Sequence, residues 1–410
     1  MEQIDKTKLK KPELLAPAGN WSMLNAAINA GANAVYFGVK NLNMRAAANN
    51  FDIKDLPEIS ALCKLHNVQT HLTLNTIVFE EELAEADAVI LAAKQAGVDL
   101  IICWDMAIIN KCIDHKMPFC VSTQASSSNS ESVKAYERLG AKRIVLAREC
   151  TLDKIIEIKR KTDIEIETFI HGAMCVAVSG RCFMSHDIFG KSANRGECIQ
   201  PCRREYKIID NDEKYELELG EDYVLSPKDL CTIEFIDKLI EAGIDAFKIE
   251  GRKRSPEYIA KVVSVYRNAI DLYFGGKLSQ EKKSELYEEL KKVYNRGFSR
   301  GFYFGQPGSK DFTSTYGSIA STRKVYIGKV LNYYKQKKIV HIKIEADSLN
   351  AGDSIYIIGN TTGVIEIQLS KLEFDGIEYP VAEKGKEITF ECVELARTND
   401  KVYKIVYLDN

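Results

Sequence analysis

Apolar residues in the first 250 positions gather into short runs separated by amphipathic stretches of helix length. The runs occupy residues 13–17, 34–38, 70–75, 100–102, 119–123, 143–146, 164–170, 223–226 and 246–250. Several are apolar at consecutive positions, as strands buried on both faces of a parallel sheet are. Four recurrent junctions, Ala30-Gly31, Ala96-Gly97, Leu139-Gly140 and Ala242-Gly243, close an amphipathic segment just before such a run. A glycine there supplies the left-handed residue that commonly ends a helix. The alternation predicts a TIM-type (β/α)8 barrel. Nine runs are one too many for eight strands, and residues 223–226 are the ones expected to lie outside the barrel. A doubly wound dinucleotide-binding sheet is the rival, but no G-x-G-x-x-G follows the first run.

Beyond the cysteine-rich stretch near residue 200, residues 206–210 and 214–219 flank Asn211-Asp-Glu and read as a hairpin inserted over about 203–222. Ser255-Pro256 marks a helix start, a second charged helix covers 279–293, and a linker rich in glycine, arginine and aromatics follows over 294–305. From residue 323 the period changes to short alternating strands with no helical stretch between them, which predicts a small β-barrel. The expected organisation is therefore a barrel over 1–255, a helical and linker segment over 256–322, and a C-terminal β-module over 323–410.

A hydrophobic content of 45% and a charged content of 28% suit a globular chain with a sizeable core. The net charge of -2 excludes a uniformly basic nucleic-acid binder, though not a local basic patch. The N-terminus is charged and no long apolar run occurs, so neither a secretory signal nor a membrane span is expected, and the cytoplasm is the expected compartment.

In a reducing compartment the eleven cysteines read as thiols or metal ligands. Cys63, Cys103, Cys112, Cys120, Cys150 and Cys392 lie in apolar surroundings and read as buried thiols. Cys175, Cys182, Cys198, Cys202 and Cys231 share one window with Glu167, His171 and several arginines, which is the composition of a reactive or metal-bearing centre. A cysteine protease needs a thiolate beside a histidine, and a metalloprotease needs His-Glu-x-x-His or its equivalent. The chain has six histidines and no His-Glu-x-x-His. Structural zinc usually sits on two short C-x2-4-C knuckles, and the spacing C-x6-C followed by C-x3-C fits that poorly. Four thiolates from separate segments suit a zinc ion or an iron–sulfur cluster.

Polar residues at the C-terminal ends of barrel strands face an active site, and Asn75, Asp105, Gln124, Arg148, Glu149, Glu167, His171, Lys248, Glu250 and Arg252 hold such positions. Strand alternation puts Lys248, Glu250 and Arg252 on one face, and Glu167 with His171 on one face, where they could hold a substrate or relay a proton. The linker's Arg296, Arg300, Tyr294, Phe298, Phe302 and Tyr303 suit either stacking on single-stranded RNA or an interdomain strap.

The stretch from Glu167 through Phe169, Gly172-Ala173, Cys175, Gly180 and Cys182 to Ser185 resembles the signature of the peptidase U32 family. Leu14-Leu-Ala-Pro-Ala-Gly19, Cys198-Ile-Gln-Pro-Cys-Arg-Arg204, Leu225-Ser-Pro-Lys-Asp-Leu-Cys231, Phe247-Lys-Ile-Glu-Gly-Arg252 and Asn295-Arg-Gly-Phe298 are similar to further blocks of that family, in family order. Length and the single C-terminal β-module are most similar to its tRNA branch. That resemblance implies a tRNA hydroxylase making 5-hydroxyuridine at the wobble position, with prephenate as oxygen donor and a 4Fe-4S cluster. It implies Cys175, Cys182 and Cys198 as cluster ligands, with Cys231 preferred over Cys202 as the fourth. Glu167, His171, Lys248 and Glu250 are then the expected catalytic groups, and Arg148 and Arg252 the expected binders of the dicarboxylate. The family's name implies a peptidase as the alternative; a non-catalytic RNA-binding or assembly protein with a structural cluster is the third class.

Overall fold

The computed structural model describes residues 9–44, 50–206, 225–251 and 254–408. Eight strands close a parallel barrel: β1 (Glu13–Pro17), β2 (Ala34–Phe37), β3 (Gln69–Thr73), β4 (Leu100–Cys103), β5 (Phe119–Val121), β6 (Arg143–Val145), β7 (Glu165–Gly172) and, after one intervening strand, β9 (Ala246–Ile249). β9 pairs in parallel with both β7 and β1, which completes the ring. These are eight of the nine runs expected from the hydrophobic pattern. Within the ninth, Leu225 and Ser226 form no strand, and Tyr223 and Val224 lie outside the described residues, as does nearly all of the expected hairpin. The added strand is instead β8 (Asp229–Cys231), which runs antiparallel to the end of β7 with His171 opposite Cys231 and Gly172 opposite Leu230. A short β10 (Phe298–Ser299) extends it on the far side.

Helices cover the barrel with caps that the sequence supplies. Asn20 caps Trp21–Asn29, Asp105 caps Met106–Asp114 and Thr151 caps Leu152–Lys161, each accepting a backbone N–H of the first turn. The long helix Pro256–Phe274 starts on its proline and buries Tyr258 and Tyr266 completely against the barrel wall. No described helix is long and apolar enough to cross a membrane.

The C-terminal module is antiparallel throughout, as the alternation predicts. Its eight-stranded ladder is centred on Thr322–Tyr334, which bends at two bulges between Lys401–Tyr407 and Ile339–Ile344. It encloses a separate core that includes Ile327, Val340, Ile342, Ile355, Ile357 and Ile388. The module docks on the helix Trp21–Asn29: Asn25 Nδ2 donates to the Asn360 carbonyl (2.9 Å) and Asn29 Nδ2 to that of Thr362 (3.1 Å). Gly363 takes φ +72° there, and a Cβ would stand 2.8 Å from the Ala26 nitrogen, so only glycine fits. Lys261 with Glu366 (3.0 Å) and Lys324 with Glu257 (2.8 Å) flank the contact.

Candidate active site

The barrel interior is not purely apolar. Arg143 on β6 reaches Glu13 on β1 (2.6 Å) and Glu165 and Glu167 on β7 (2.8 and 3.3 Å). Glu167, with no solvent exposure, turns its other oxygen to Lys248 Nζ on β9 at 2.7 Å. The lysine ammonium also lies 4.5 Å from the centre of the Tyr36 ring. A chain of alternating charge thus crosses the barrel and ends with Lys248 in the floor of a cavity at the C-terminal ends of the strands.

That cavity, of about 140 Å³, is lined by Asn75, Gln124, Arg148, Phe169, Lys248 and Glu250 from the barrel, and by the loop that follows β7. Arg148 lies over the Phe169 ring, 4.0 Å from its centre, and donates to the Ala173 carbonyl at 2.8 Å, leaving its guanidinium at the cavity wall. It does not pair with its neighbour Glu149, which accepts the Ser179 N–H at 3.2 Å. Gly172 holds the turn from β7 into the loop at φ +106°, where a Cβ would stand 2.5 Å from the Glu250 carbonyl oxygen. Of the predicted trio on β9, Lys248 and Glu250 both line the cavity; Arg252 lies outside the described residues.

The loop delivers four thiols to the same space: Cys175, Cys182, Cys198 and Cys202 all line the cavity and all are partly exposed. Two backbone amides donate to them, Ala177 N to Cys175 Sγ and Gln200 N to Cys198 Sγ, each at 3.4 Å. Ser179 and Gln200 take left-handed conformations beside them, which bends the chain round the thiols at some steric cost. Burial pushes the Cys202 thiol up to about 11; the neighbouring Arg203 opposes that shift, and the other three thiols add to it. Among the described residues no three His, Cys, Asp or Glu side chains are grouped as ligands of a single metal ion. Cys231, the expected fourth member, is elsewhere. It is buried in β8, takes a hydrogen bond from the Tyr266 hydroxyl at 3.8 Å, and burial raises its thiol to about 12.

His171 is also displaced from its expected place. The pairing of β7 with β9 slips by one residue between Phe169 and His171, and this bulge breaks the alternation that would have aligned the imidazole with Glu167. The ring packs outside among Tyr258, Tyr266 and Phe298, with Nδ1 3.3 Å from the Tyr266 hydroxyl. Burial lowers its pKa to about 3, so it stays neutral and relays no proton in the cavity. His71, in the barrel interior, is lowered as well, by burial and then by Arg143 and Lys248. Both histidines bind protons more readily in the unfolded chain. Their contribution to stability is therefore complete above about pH 6.5 and falls as pH drops toward the folded values, by up to about 1.4 kcal/mol per histidine per pH unit. Urea midpoints are expected to fall between pH 7.5 and 5.5, and His171→Phe is expected to flatten part of that slope.

Sequence reasoning missed a second buried network. Asp229, on β8, accepts from Arg254 at 2.8 Å and from Arg296, and all three are almost wholly buried. Arg203 lies close by, with donations to the Pro227 and Met174 carbonyls and to Ser226 Oγ. Burial, and then Arg296, lowers its pKa to about 10. Among the described residues, three arginines thus surround the one carboxylate of Asp229 close to Cys202, and the sequence signal for this was the arginines in the cysteine window. The linker is largely a strap: Phe298 packs on His171, Tyr303 donates to the Phe169 carbonyl at 2.7 Å, and Arg296 is committed to Asp229.

A parallel barrel whose mouth carries four thiols on one long loop matches the family model described as Peptidase family U32 over residues 19–313, and the chain belongs to that family. Among its relatives is a collagenase of Porphyromonas gingivalis (strain ATCC BAA-308 / W83), 40% identical over 96% of this chain and 97% of the relative. The tRNA hydroxylation protein P1 of Bacillus subtilis (strain 168) is 37% identical over 92% of this chain and 96% of its own length. The 23S rRNA 5-hydroxycytidine C2501 synthase of Escherichia coli (strain K12) is 39% identical over 63% of this chain and 39% of its own.

Proposed function

We propose that the protein is an RNA pyrimidine hydroxylase that converts the wobble uridine of tRNA to 5-hydroxyuridine, with prephenate as oxygen donor. The cofactor in this reading is a 4Fe-4S cluster held by Cys175, Cys182, Cys198 and Cys202. The observation that carries it is the convergence of four thiols and two cations, Arg148 and Lys248, on one cavity. An all-sulfur donor set suits soft iron, the four thiols line one cavity, and amide donation to two sulfurs is a feature that tunes such clusters. Relatives named for tRNA and rRNA hydroxylation support the substrate class.

When bound, the cluster would supply redox or Lewis-acid chemistry. The chain's own residues supply the rest. Arg148 and Lys248 meet the carboxylates of the co-substrate, and Glu167 fixes the lysine ammonium in place from below. Phe169 and Tyr36 wall the floor against water, and Glu250 stands at the cavity as a group able to take up or return a proton on the co-substrate side. Replacing C5–H by C5–OH is a two-electron oxidation of the base, so the oxygen donor leaves reduced by two electrons.

The peptidase reading finds less support. None of the described residues lining the cavity is a histidine, and His171 is sequestered against Tyr266. Nucleoside mass spectrometry of tRNA from a deletion strain separates the two: 5-hydroxyuridine and its derivatives should disappear and return on complementation, while gelatin hydrolysis should not change. Persistence of the modified nucleoside would end the hydroxylase reading. Anaerobically purified Cys231→Ser should keep the iron and sulfide of the wild type, because the buried thiol lies apart from the other four; loss of both would restore Cys231 to the ligand set.

A further inference from the structure

A second cavity, of about 210 Å³, opens beside the first, and the two share Met174, Cys175 and Val176 as a common wall. Its chemistry differs. Pro227, Phe302 and Phe312 give it flat apolar surfaces, Gln306 and Asp311 stand among its polar groups, and no Lys or Arg is among its described lining residues. A dicarboxylate would find no counter-ion there and would face Asp311, so it belongs with Arg148 and Lys248. A pyrimidine suits the space better. Its faces stack on aromatic and proline rings, and its edge alternates donors and acceptors, which an amide and a carboxylate complement. Cations lie just outside: Lys228 follows Pro227, Lys310 precedes Asp311, and Arg300, largely exposed, precedes Gly301. Phosphates on either side of an extruded nucleotide would meet such side chains.

Building on the hydroxylase reading, we propose that this side cavity receives the target pyrimidine, swung out of its RNA stack, so that base and anionic co-substrate approach Cys175 from two sides. The strap then has two faces. Tyr303 and Phe298 fasten it to the barrel, while Phe302 and Gln306 contact the base.

The test uses the full-length protein and an RNA stem-loop carrying 5-iodouridine in its loop, irradiated and mapped by peptide mass spectrometry. Cross-links are expected within residues 299–312. Phe312→Ala and Gln306→Ala should each weaken stem-loop binding and hydroxylated-nucleoside formation, the first by roughly 5- to 150-fold, the range that loss of a base–aromatic stack brings. Iron content and calorimetric binding of prephenate should not change, and Phe312→Tyr should recover most of the loss. Cross-links on Gln124 or Arg148 instead, or full turnover by both alanine variants, would overturn the assignment while leaving the hydroxylase reading intact. Absence of hydroxylated pyrimidine with the wild-type protein would overturn both.

Discussion

Replacing Cys202 by serine is expected to strip the protein of its iron and sulfide and to abolish hydroxylation, as Cys175→Ser, Cys182→Ser and Cys198→Ser should. All four thiols face one cavity, and Cys202 feels the charge of the other three. A serine hydroxyl is a poor ligand for soft iron, and a cluster lacking one protein ligand is open to solvent and oxygen. Arg203→Met should act less completely. Its guanidinium neighbours Cys202 and, among the described residues, forms no ion pair of its own, and outer groups of this kind typically change metal affinity by roughly 10- to 100-fold. Iron and sulfide assays on anaerobically purified protein check both. Cys202→Ser protein with full iron content would return the fourth position to another residue.

Arg143→Met is expected to destabilise the barrel by about 3–5 kcal/mol, the cost typical of leaving buried carboxylates without their partner. Its guanidinium is 4% exposed and answers Glu13, Glu165 and Glu167 together; burial alone would lower its pKa, but Glu13 and Glu167 hold it above the usual arginine value. Glu165 is partly solvated and should tolerate the loss, whereas Glu167 is fully enclosed. Arg143→Met combined with Glu167→Gln should therefore be more stable than the two single costs predict, by a coupling energy measurable in urea. A loss under about 1 kcal/mol in the single variant would mean that water or Lys248 satisfies the carboxylates unaided.

The barrel was legible because its strands are apolar on consecutive positions and its helices end on glycine, signals that are local in sequence. Lys248, Glu250 and Arg148 were legible for the same reason: a strand's end and its alternation place them. Failures came where one residue of register decides the outcome. Periodicity alone cannot see the bulge after Phe169, and the bulge sends His171 to the outside wall. Cys231 and Cys202 are both plausible by spacing, and only the antiparallel pairing of β8 with the end of β7 shows that Cys231 is committed to the wall. The Asp229 network was invisible because its members, at 203, 229, 254 and 296, meet only after the chain has closed the barrel and laid the strap across it.

The charged ladder through the barrel also constrains the order of assembly. Arg143 and its three carboxylates are all synthesised by residue 167, but the second cation of the set, the Lys248 ammonium that pairs with Glu167, arrives only on the last strand of the ring. A nascent chain ending before β9 would have to enclose Glu167 without its ammonium, a burial that costs several kcal/mol. Partial barrels of seven strands should then remain open and hydrated, with closure as a single late event. Stalled ribosomal complexes would show it as protease resistance that appears abruptly once the segment through Ile249 has cleared the exit tunnel.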